Sequence, residues 1–135
     1  MNNITDSTKT KLAAACILLS VADADEILED QELDTINIIL QDFFTLDEKS
    51  ASSLMIKAQI EWKNSTGIFE FGNQLNAGFS HDDKIDFICC VFEMAYSDGK
   101  LHYLEHHTIK KIANILCLSR DEIINAKAEI KNFLN

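Results

Sequence analysis

The chain has no proline and only four glycines among its 135 residues. Sheet sandwiches and barrels need turn residues roughly every ten positions, so this scarcity excludes an all-β architecture and points to helices. No two cysteines form a CxxC pair. Cys16, Cys89, Cys90 and Cys117 each sit in an apolar helical run, and are expected as small buried hydrophobes in a reducing compartment. The longest apolar run, Leu12 to Leu19, is too short to cross a bilayer. The start, MNNITDSTKTK, lacks the charged-then-apolar order of a signal peptide. The expectation is a cytoplasmic protein with no transmembrane segment. A glycine-rich phosphate loop is missing, and no Ser-His-Asp or Cys-His arrangement can be argued from spacing.

Positive charge is also scarce. The net charge is −10, which excludes a nucleic-acid partner, because backbone binding rests on Lys and Arg neutralising phosphates. Between residues 23 and 48 there are ten acids and no Lys or Arg. Such a block is ordinarily a solvated face; the sharper reading is a surface for divalent cations or a basic protein partner, with Asp23, Glu26, Glu29, Asp30 and Asp34 as its candidate residues.

What is present is helical periodicity on a chain of single-domain length that is 47% apolar. The spacing predicts helices over about 5 to 22, 29 to 44, 47 to 62, 68 to 75, 81 to 96, 102 to 116 and 120 to 134. Asp6 or Ser7 is the cap of the first, Thr45 or Asp47 of the third. Ser80 to Asp83 and Ser119 to Glu122 have the form of capping boxes. Ile60 is placed on the inner face of the third helix. Trp62, Phe69 and Phe71 are read as core, and Phe43 and Phe44 point different ways, leaving one for exposure or a dimer contact.

A repeat runs through this pattern. Asp25, Leu28 and Glu32 recur as Asp98, Leu101 and Glu105 at one offset, and a one-residue slip after the second helix brings Leu46 onto Leu118. Residues of about 12–60 and 85–131 therefore read as one helix–corner–helix–helix unit written twice, packed as an all-α bundle of about seven helices with pseudo-twofold symmetry.

An apolar helix, an Ala-x-x-Asp-Gly-x-Leu-x-x-x-Glu corner and a capped apolar helix, all occurring twice, resemble the TerB-like domain of the bacterial tellurite-resistance system. The likeness runs from about Lys11 to Ala128. It is strongest at Ala95 to Leu101 with Glu105, followed by Ile112 to Ser119; Phe69, Phe71 and Asn73 to Leu75 resemble the mid-domain helix of a stand-alone bacterial branch. The resemblance implies a seven-helix fold, stress and tellurite resistance, metal binding through acids, and partners in a stress-response complex. Glu26 departs from it, standing where the family usually has glycine.

Asp25, Glu32, Asp98 and Glu105 are the candidate metal ligands, since a hard divalent cation needs several converging oxygens. Calcium, manganese, nickel and zinc are the ions considered. The alternative is structural: Glu32 and Glu105 fall at the third helical position, where a Glu caps its own helix. Asp98, Gly99, Leu101 and Glu105 echo the tail of an EF-hand loop, but Met94 and Tyr96 would hold its first two ligand positions, so an EF-hand of the usual kind is rejected. His102-Tyr103-Leu104-Glu105-His106 spells H-x-x-E-H, which makes His102 and His106 further candidate ligands and Glu105 a candidate base for a zinc hydrolase. Only 29 residues follow His106, too few for a further acidic ligand and a substrate cleft. The preferred reading is a non-enzymatic module that binds a divalent ion or a protein partner; the zinc hydrolase and a scaffold homodimer are the alternatives.

Overall fold

The computed structural model describes residues 7–24, 30–97 and 99–134. Within them the chain forms seven helices and no strand: α1 (Thr8–Ala22), α2 (Asp30–Phe44), α3 (Glu48–Asn64), α4 (Phe69–Gly78), α5 (His81–Ala95), α6 (Tyr103–Ile115) and α7 (Arg120–Leu134). The all-α expectation holds. Asp25, Glu26, Glu29 and Asp98 lie outside the described residues.

Local chemistry sets most helix starts. Thr10 N–H donates to Ser7 Oγ at 3.2 Å, and Ser50 N–H to Asp47 Oδ1 at 2.7 Å, so Ser7 and Asp47 are the caps. Ser80 and Asp83 form a reciprocal box at α5, as do Ser119 and Glu122 at α7. Two ends fall later than the periodicity indicated: α3 continues to Asn64 and α4 to Gly78. Helix ends fray, and a boundary read from periodicity shifts by up to a turn.

α1 is the axis of the molecule. Residues 13–22 are buried without a break, so the helix is apolar on every side and packs against α2, α3, α4, α5 and α6. Phe87, Phe92, Ile36, Leu40, Leu75 and Ile112 join its Ile17 and Leu18 in the core. Truncating Phe92 to Ala would cost about 3–5 kcal/mol by transfer and cavity terms. α4 approaches closely enough that a Cβ on Gly72 would collide with the Ile115 side chain, and one on Gly78 with Thr10. Asn76 Nδ2 secures the same contact by donating to Ile115 O at 2.7 Å.

The two halves match at their turns. After α1, Asp23 N–H returns to Leu19 O and Ala24 N–H to Val21 O; after α5, Tyr96 N–H returns to Phe92 O and Ser97 N–H to Met94 O. These pairs keep the 73-residue offset of Glu32 and Glu105. After α2 and α6 the chain turns through Thr45 (φ 55°) and Cys117 (φ 62°), with Leu46 N–H on Gln41 O and Leu118 N–H on Ala113 O. That is the anticipated one-residue slip.

Several side chains fall elsewhere than expected. Ile60 is 58% exposed, because Ala51, Met55 and Ala58 already make the buried stripe of α3. Phe69 is 71% exposed at the start of α4, whereas Phe71 is buried and packs near Trp62. Neither Phe43 nor Phe44 is left over: both join an aromatic cluster with Phe79, and Phe43 also meets Phe87. Of the thiols only Cys16 is fully buried; Cys89 and Cys90 are half-buried and Cys117 is exposed, since it occupies the turn after α6 and not the helix.

Candidate functional site

The start of α2 meets the end of α5. Gln31, at the start of α2, donates its Nε2 hydrogen to the carbonyl of Ser97 at the end of α5. One residue beyond Gln31 is Glu32, 5% exposed; its repeat counterpart Glu105 is fully buried. Each occupies the first turn of its helix, where the positive end of the helix dipole and free N–H groups favour a carboxylate. Glu105 Oε1 accepts from His102 N–H at 3.3 Å. This is the capping role anticipated for that position. A buried carboxylate must be hydrogen-bonded or neutralised, and for Glu105 the His102 N–H meets part of that need.

The second corner also holds an orphaned polar atom. Ser97 Oγ is buried and has no hydrogen-bond partner among the described residues. A hydroxyl oxygen is among the ligands that a hard cation takes. Among the described residues no three His, Cys, Asp or Glu side chains converge into a metal-holding group. Any such group would draw on Asp25 and Asp98, which lie outside those residues.

His102 meets Glu105 at the start of α6, whereas His106 lies apart from them. His106 Nε2 lies 3.4 Å from Lys127 Nζ, on the groove between α6 and α7. Desolvation, then Lys127 and Lys110, hold its pKa below the usual 6.5. His102 is the N-cap residue of α6, and His107 stacks on exposed Tyr103. Glu105 thus points into the core while His106 points along the helix toward a lysine.

The acidic surface is partly engaged. Asp23 accepts from Trp62 Nε1 at 3.3 Å, tying the first corner to the end of α3. Asp30 and Asp34 are exposed. The sequence reading did not find Gln31 or Ser97, because neither residue type signals a site; only the fold brings α2 and the end of α5 together.

The family model for the tellurite resistance protein TerB matches residues 11–128. The chain belongs to the TerB family. The match covers both corners, all of α2 to α6 and most of α1 and α7. No curated protein and no solved structure matches the chain significantly. No helix among the described residues of this TerB domain is long and apolar enough to cross a membrane.

Proposed function

We propose that this TerB-family chain is a non-enzymatic binding module of a tellurite- or stress-resistance response. Its adjoining corners take a divalent cation, and the acidic face around them takes a basic protein partner. The observation that supports this reading is the Gln31–Ser97 link, which joins the start of α2, where Glu32 is buried, to the end of α5. Asp25 and Asp98, at matching places in the sequence, would supply the outer oxygens, and Glu32 and Glu105 the inner ones. Carboxylate and hydroxyl oxygens suit calcium or manganese better than zinc or nickel.

The test is calorimetric titration of the full chain with calcium, manganese, nickel and zinc, beside an Asp25→Ala/Asp98→Ala variant. The reading predicts binding of calcium or manganese that the variant loses. Flat traces for both proteins, or equal binding by both, would remove the cation.

A further inference from the structure

The internal repeat makes the same groove twice, and the two copies carry opposite chemistry. Between α2 and α3 the groove is lined by Leu33, Asn37, Gln41, Glu48, Ser52 and Met55, with Asp34 at its edge. Between α6 and α7 the corresponding positions are His106, Lys110, Asn114, Arg120, Ile124 and Lys127. Leu33 becomes His106, Asn37 becomes Lys110, Glu48 becomes Arg120 and Met55 becomes Lys127. The fold therefore builds this groove without any cation in it. Packing does not demand the basic set of the second half.

That set is unusual for this chain. The protein carries 12 Lys and Arg against 22 acids, and Arg120 is its sole arginine. Yet three cationic side chains and an imidazole line one cavity of about 380 Å³, and no carboxylate lines it. Two acids of α7 have partners outside the groove. Glu122 takes His81 at 2.5 Å and the Ser119 N–H, and Glu129 lies by Cys89. In the first half α2 packs along α3, whereas α7 packs on α5 and makes little contact with α6. The α6–α7 groove is thus left open, and within it Lys127 Nζ donates to His106 Nε2 at 3.4 Å. Ile123 and Ile124 supply an apolar wall, and Ile124 is 51% exposed.

We propose that the α6–α7 groove is a binding site for a small phosphate monoester. The phosphate lies on Lys110, Arg120 and Lys127, and an apolar portion of the ligand rests on Ile123 and Ile124. Arg presents a planar fork that matches phosphate oxygens, and the lysines add charge-assisted hydrogen bonds. This site is separate from the acidic corners and does not depend on the cation reading.

The experiment is titration of the full chain with phenyl phosphate, inorganic phosphate and benzyl alcohol, followed by calorimetry and by amide NMR shifts. Phenyl phosphate should move resonances of α6 and α7 around residues 110, 120, 123 and 127 and leave those around 37, 48 and 55 in place. Inorganic phosphate should act at the same positions more weakly, and benzyl alcohol not at all. The Lys110→Asn/Lys127→Met variant copies the first-half residues, so the groove should keep its shape; it should bind phenyl phosphate at least about tenfold more weakly, as expected for lost charged hydrogen bonds. Arg120→Glu, at an exposed helix start, should lose affinity similarly and serves where the double variant does not fold. No shift in the α6–α7 groove, equal shifts in both grooves, or undiminished binding by the variants overturns the proposal.

Discussion

Glu105 shows how much one side chain settles. It is fully buried, and its carboxylate accepts from the N–H of its own cap residue. Glu105→Ala should therefore lower stability by about 2 kcal/mol through the lost cap and the exposed donors, read as a shift in urea midpoint. Glu105→Gln, which keeps one acceptor, should cost less. The thiols divide just as sharply. Burial pushes Cys16 and Cys90 up to about 12 and Cys89 to about 11, with neighbouring carboxylates adding to the effect. Iodoacetamide at pH 8 should alkylate exposed Cys117 at least about tenfold faster than these three, judged by peptide mass spectrometry, because only the thiolate reacts. His106 gives the pH dependence. Its folded pKa lies below 6.5, so below that pH the unfolded chain takes up the proton more readily than the folded one. Its contribution to stability is present above 6.5 and is lost as pH falls through the folded pKa. His106→Leu, the first-half residue, should flatten that part of the melting-temperature curve below pH 7.

At the scale of the helix, the ends carry the information. Thr45 and Cys117 both adopt left-handed backbone angles that L side chains resist, Thr45 the more so because it is β-branched. Thr45→Gly should stabilise the protein by about 0.5–1 kcal/mol, whereas Gly72→Ala should destabilise it by about 1–3 kcal/mol by driving a methyl into Ile115. Thermal or urea denaturation distinguishes the two signs. The helix order was legible in the chain because 3.6-residue periodicity and Ser or Asp caps are local signals. Ile60 and Phe69 were misplaced because periodicity marks an apolar position without saying whether a neighbour covers it. Cys117 was misplaced because a residue after the last helical turn still reads as part of the apolar run. The glutamates at 32 and 105 stand out in the sequence through the repeat alone, and both are buried. Gln31 and the basic groove were not found, since each needs two distant segments to meet.

For the whole molecule, the repeat explains why so acidic a chain can have two unlike faces. The matched turns at 23 and 96, and again at 45 and 117, show one backbone design used in both halves. On that common design the α2–α3 side stays acidic and the α6–α7 side gathers the arginine and two lysines. The corners join the halves through Gln31 and Ser97, so an ion there would touch both units at once. Diffraction from a crystal soaked in manganese, with data at a wavelength where manganese scatters anomalously, reads this directly. The account predicts one anomalous peak between the corners, within bonding distance of oxygens from Asp98 and its counterpart Asp25, with Glu32 or Glu105 completing the shell. A map with no peak at either corner, or with manganese held only by scattered surface carboxylates, contradicts it.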